Sequence, residues 1–171
     1  MTWPSNNNGT SEDKLIFSQN TYEKISRVVY ELRVRLKADL CIFADVNGYP
    51  VDHSGETNNI DVSDLTAVAA GSFLASNEMS RLISGEPYFD HVFHEGQRKN
   101  SYMCNVNSDY LMIIVFNKKV PVGLVRLLTH HAVERLNTYL DNLKDQNRQV
   151  ANFLDSKFRD QLNDELDKAF G

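Results

Sequence analysis

The sequence predicts an α+β layer fold: one five-stranded antiparallel sheet with helices on both faces, in the order α-β-β-α-β-β-β-α. Three observations carry this. Residues 40–53 hold two short β-prone runs around Asn47-Gly48, the strongest short-range hairpin signal, because both residues tolerate positive φ. Residues 88–117 hold three more runs rich in aromatic and β-branched side chains, split by short polar turns, and strands so joined pair antiparallel. Helical periodicity of apolar residues fills the remainder.

Residues 1–17 are polar, with Pro4, three consecutive asparagines and Gly9, and read as a disordered tail that holds the only tryptophan, Trp3. Tyr22, Ile25, Val28, Val29, Leu32 and Leu36 then recur at helical spacing over residues 21–37, with Ser18 or Thr21 as the N-cap. Residues 40–44 and 49–53 form the hairpin. Pro50 has no N–H to give a ladder, so its strand belongs at a sheet edge.

Residues 55–59 are a loop, and Asp61 or Ser63 can cap the second helix, which stops at Gly85 and Pro87. Leu65, Val68, Ser72, Met79 and Ile83 fall on one side of it. Ala67, Ala70, Gly71, Leu74 and Arg81 fall on another. A helix apolar on two sides is covered on two sides, and small residues on one of them imply a second backbone close by. Strands follow at 88–95, 100–106 and 110–117, with turns at 96–99 and 107–109.

From Gly123 to Phe170 the pattern stays helical, with no proline or internal glycine after the start, which would extend about 70 Å at 1.5 Å per residue. Leu136, Leu140, Leu143, Asn147, Val150 and Leu154 alternate spacings of four and three, a heptad seam with a polar residue at one core position. Phe158, Leu162, Leu166 and Phe170 step by four, so the stripe drifts around the helix. A dimeric coiled coil and an amphipathic helix folded back on its own domain or on a partner both fit. The organisation expected is a tail at 1–17, a domain at 18–135 and a helical extension at 136–171.

Composition excludes several classes. A net charge of −5 argues against sequence-independent binding of nucleic acid. The longest apolar run, residues 110–116, cannot span a bilayer, and the N-terminus lacks the basic and apolar regions of a signal peptide, so a cytoplasmic protein without membrane insertion is expected. Cys41 and Cys104 lie in strand-like runs and read as buried thiols.

Catalytic patterns are missing. There is no phosphate-binding Gly-x-x-x-x-Gly-Lys loop, no dinucleotide fingerprint and no Gly-x-Ser-x-Gly elbow. His91 and His94 point to opposite faces of a strand, and His130 and His131 diverge on a helix, so no metal site or cofactor is expected. Arg98 and Lys99 sit on a turn and read as an ordinary solvated tip rather than as an arginine finger.

The element order, the hairpin at residues 43–51, the alanine-rich helix at 64–75 and Val122-Gly123-Leu124-Val125-Arg126 at the start of the last helix resemble the Roadblock/dynein-light-chain superfamily, and within it the bacterial MglB type. The resemblance covers residues 22–135. It implies a homodimer in which the third strand of each copy pairs across a two-fold axis, giving a continuous ten-stranded sheet. Tyr88, Phe89, Val92 and Phe93 would lie in that strand. The second helices would then lie side by side, with Ala67, Ala70, Gly71, Leu74, Asn77 and Glu78 at the dimer and partner surface. The resemblance further implies a non-enzymatic regulator that binds the switch regions of a small Ras-like (MglA-like) GTPase and stimulates hydrolysis without an arginine finger, in bacterial cell polarity or motility. A Roadblock-type scaffold acting through its dimer platform or long helix is the alternative, and a small-molecule sensor a third reading.

Overall fold

The computed structural model describes residues 18–170. Eight elements follow in the expected order: α1 (Gln19–Leu36), β1 (Leu40–Asp45), β2 (Pro50–Gly55), α2 (Val62–Ser84), β3 (His91–His94), β4 (Lys99–Asn105), β5 (Tyr110–Asn117) and α3 (Val122–Phe170). The expected tail at 1–17, with Trp3, lies outside the described residues.

The strands form one antiparallel sheet in the order β2-β1-β5-β4-β3. Pro50 does open an edge strand, β2. β1 and β5 are central and read as almost unbroken apolar runs because both of their faces are covered. On one face Cys41, Phe43, Tyr102, Cys104, Met112, Ile114 and Phe116 pack under α1 and α3. On the other, Leu40, Ile42, Ala44, Met103, Leu111 and Ile113 pack under α2 alone.

Ser18 caps α1, its hydroxyl accepting the Thr21 N–H at 3.3 Å. Ile25, Val28, Val29, Leu32 and Leu36 are its buried stripe, as the spacing predicts. Asp61 caps α2, its carboxylate accepting the N–H groups of Ser63 (2.8 Å) and Asp64 (3.1 Å), and Gly85 ends that helix in the left-handed conformation at φ 75°.

The hairpin expected at Asn47-Gly48 forms, and one of the two residues supplies the left-handed position. Gly48 alone is left-handed, at φ 93°, and Asn47 is not. Gly48 N–H reaches Asp45 O at 3.1 Å, Asp45 N–H reaches Tyr49 O at 3.0 Å, and the register slips between Phe43 and Ala44. One glycine taking the strained position is the economy of a bulged hairpin.

The third strand is shorter than residues 88–95. His91 faces Cys104, so Tyr88 would have to face Asn107, where the β4–β5 turn has already begun with Val106 N–H on Tyr110 O at 2.8 Å. Tyr88 and Phe89 therefore precede the strand.

α3 runs unbroken through 135/136. Leu136, Leu140 and Leu143, the first half of the heptad seam, are buried, Leu136 and Leu140 within the core under α1. For these three residues the helix folds back on its own domain. Arg135 pairs with Glu31 of α1 at 2.6 Å, Lys24 lies over the Tyr139 ring at 5.7 Å, and Lys144 binds Asp109 at 2.9 Å. Beyond Lys144, α3 runs on to Phe170. The side chains of Asn147, Val150 and Leu154, the rest of the seam, lie outside the described residues.

Candidate interaction surface

α2 is inverted relative to an ordinary surface helix. Its sheet-facing side carries Thr66, Ala69, Ala70, Phe73 and Ser80, all buried. Phe73, 1% exposed, is the only bulky anchor among them. Thr66 can face the core because its hydroxyl donates to Val62 O at 2.6 Å, four residues back. The outward side carries the bulk: Val68, Leu82 and Ile83 are each 72% exposed, and Leu74 and Met79 are exposed as well. At 100° per residue Val68, Gly71, Ala75, Met79 and Leu82 form one stripe down the helix. Single exposed apolar residues need no explanation, but a contiguous stripe marks a surface that another body covers.

Gly71 sits in this stripe. A Cβ added there would meet nothing within 4 Å, so the protomer itself does not require the glycine. Ala67 differs: the β1–β2 turn approaches it so closely that a Cβ on Gly48 would lie 2.8 Å from the Ala67 Cα. The backbone that the small residue admits here belongs to the same chain.

Of the residues expected at the partner surface, Ala67, Gly71, Leu74 and Glu78 are exposed. Glu78 is held by two hydrogen bonds from Arg81, which keep its carboxyl below the usual range. Asn77 is half-buried, with its Oδ1 buried and without a hydrogen-bond partner. Ala70 is 2% exposed and packs into the core beneath α2. Its short side chain lets α2 settle on its own sheet, and it is not on the outward face. Val68, Met79, Leu82 and Ile83 belong to the surface but were not expected there. The usable signal was Phe73, the one aromatic ring of the helix, whose phase marks the buried side.

The second free edge of the sheet is β3. Val92 packs on the α2 side, whereas His91 stacks on Tyr102 at 5.2 Å and Phe93 on Phe116 at 6.3 Å on the opposite side. Burial, with Arg126 nearby, pulls the His91 pKa down, and burial pushes Tyr102 up to about 12. Phe93 remains 36% exposed. Tyr88 and Phe89 line an open groove of about 400 Å³ with Ser80 and Ser84 at the end of α2.

The described residues hold no group of three metal-ligating side chains, and no helix among them is long and apolar enough to cross a membrane. Cys41 and Cys104 are free and buried, with thiols pushed up to about 12 by burial. Such thiols are poor nucleophiles.

A five-stranded sheet between an α1/α3 layer and a single helix, with that helix apolar outward, defines a Roadblock-type domain. A Roadblock/LC7 domain from Streptomyces avermitilis has this fold, with a TM-score of 0.62 at 11% identity, covering 67% of this chain and 96% of that one. Myxococcus xanthus MglB is more similar: TM-score 0.70 and 31% identity, covering 75% of this chain and 96% of MglB. The chain belongs to the MglB-type Roadblock family. An uncharacterized protein of Aquifex aeolicus (strain VF5) is 25% identical over 158 residues, 90% of this chain and 93% of that protein. No protein-family model matches.

Proposed function

We propose that this chain is a non-enzymatic, homodimeric regulator that acts in the cytoplasm on a small Ras-like GTPase of a bacterial polarity or motility system. Two copies pair through β3 into a ten-stranded sheet, which sets the two α2 helices side by side. The GTPase's switch regions dock on that helix pair, and hydrolysis is stimulated by biasing the switch loops rather than by inserting an arginine. The observation that carries this reading is the outward apolar stripe of α2, Val68 to Leu82, with a glycine the protomer does not need. Membership of the MglB-type family supplies the partner class.

The test mixes the purified chain with a GTP-loaded MglA-like GTPase and follows phosphate release. Acceleration that Leu82→Glu removes is the expected result, since Leu82 is exposed and the change leaves the core intact. No acceleration and no complex would refute the activating role. Ala70→Glu is unsuitable as a probe, because a charge at that buried position unfolds α2 from the sheet.

A scaffold working through α3 is favoured by a separate observation: Phe153 and Phe158 are exposed on the part of the helix beyond Lys144. A chain ending at residue 144 separates the two readings. The regulator keeps its effect on phosphate release, whereas a helix-based scaffold loses its partner.

A further inference from the structure

The geometry of β3 points to one register for the dimer: we propose that two copies pair antiparallel about Phe93, which sits on the two-fold axis, so that His91 of each faces Glu95 of the other. This rests on the homodimer reading above and deepens it.

The argument begins with parity. Keeping both α2 helices on the same side of a continuous sheet requires the two-fold axis to stand perpendicular to it. Such an axis leaves each residue on its own face. Residues directly opposite in an antiparallel pair also share a face, and faces alternate along a strand. Only partners whose numbers sum to an even value are then possible, and the axis must pass through a residue. His91–His94 offers two centres with good overlap, Val92 and Phe93.

The chain's course separates them. A centre at Val92 requires Asp90 to pair with His94 of the second copy, but Asp90 lies in a bend before the strand. A centre at Phe93 uses residues 91–95, and Glu95 carries no bend. That register sets Val92 against His94 on the α2 side. On the other side it sets Phe93 against Phe93, so each ring, already stacked on its own Phe116, gains a second neighbour and loses its 36% exposure. It also brings the Glu95 carboxylate, which pairs with Lys118 of its own chain at 3.6 Å, toward the His91 ring, which stacks on Tyr102. No like charges face one another.

Single-cysteine variants test this in the full chain, whose own thiols are buried. Opposite residues of an antiparallel pair have Cα atoms about 4.5–5.5 Å apart, within disulfide range. Under mild copper-phenanthroline oxidation Phe93→Cys should form a covalent dimer, and Val92→Cys and His94→Cys much less. Because Phe93→Cys also removes the ring, a second measurement mixes His91→Cys with Glu95→Cys; these should cross-link with each other and not with themselves. Preferential cross-linking of Val92→Cys, or a sedimentation dimer in which none of these pairs cross-links, overturns the register and leaves the homodimer reading standing. A monomeric unmodified chain by sedimentation overturns both.

Discussion

Gly48 and Ala67 bring the β1–β2 turn and the α2 helix into backbone contact. A Cβ at position 48 would stand 2.8 Å from the Cα of Ala67, nearer than real Cβ atoms approach. The obstacle is backbone, so trimming Ala67 to glycine cannot relieve it. Gly48 also holds φ at 93°, where a side chain is strained. Gly48→Ala should therefore destabilise the domain by about 2 kcal/mol, from strain at a sparsely populated backbone conformation with α2 displacement adding to it. Chemical denaturation measures this. Wild-type stability in the variant would mean that the turn and α2 are not in firm contact.

The two thiols make a sharper kinetic prediction. Cys41 and Cys104 are buried in β1 and β4, and burial pushes each to about 12. At pH 8 the thiolate that reacts with disulfide reagents is about one part in ten thousand of each site, and the reagent has no path to it. Ellman's reagent should thus titrate neither cysteine in the native chain and both after unfolding in guanidinium. Rapid labelling of one thiol under native conditions would contradict the packing of its strand.

Asp109 and Lys144 join the β4–β5 turn to α3 where the helix leaves the domain. The lysine's hydrogen bond is the main reason the Asp109 carboxyl titrates below the ordinary value, and Ser108 Oγ helps at 3.0 Å. A depressed folded pKa adds stability above the unfolded value, about 4, and that stability is lost as pH falls through the folded value. Both side chains are more than a third exposed, so the contribution is under about 1 kcal/mol. Lys144→Met should return the Asp109 carboxyl toward its ordinary value in an NMR titration. It should also lower stability at neutral pH by up to about 1 kcal/mol and leave it unchanged below the folded value, which flattens the acid limb. An Asp109 titration unchanged in the variant would exclude the pair.

How far the sequence was legible follows from which side chains carry an unambiguous phase. Ile25, Val28, Val29, Leu32 and Leu36 have no competing apolar stripe, so α1 and its buried face were readable. Pro50 placed β2 at an edge and the short turns paired sequence neighbours, but the pairing of β1 with β5 joins strands 65 residues apart (Asp45 to Tyr110) and carried no local signal. α2 was readable as a helix but not in orientation. Its buried side holds Thr66 and Ser80, its exposed side Val68, Leu82 and Ile83, and apolar content alone points the wrong way. The same conflict placed Ala70 among the surface residues. The start of β3 was lost for a different reason: aromatic Tyr88 and Phe89 have strand propensity, but their partners across the ladder fall in a turn. Leu136, Leu140 and Leu143 fit both a coiled coil and a domain core, since a heptad stripe and a buried helical stripe coincide over so few turns.

Gly71 offers the most discriminating measurement on the candidate surface. It lies in the interior of α2, exposed, and a Cβ there would touch nothing. For the protomer alone, glycine is a defect: an exposed helix interior prefers alanine by about 0.5–1 kcal/mol. Gly71→Ala should accordingly raise the stability of the chain at concentrations where it is monomeric. If a second α2 or a GTPase closes over this stripe, the added methyl group stands between two backbones. Dimer affinity or GTPase binding should then fall in the variant that folds better. Sedimentation equilibrium and a denaturation curve on the same sample read the two effects with opposite signs. A variant both more stable and equally well associated would show that the glycine has no part in the interface, and would move the search for the partner surface from Gly71 toward Leu82 and Ile83 at the far end of the stripe.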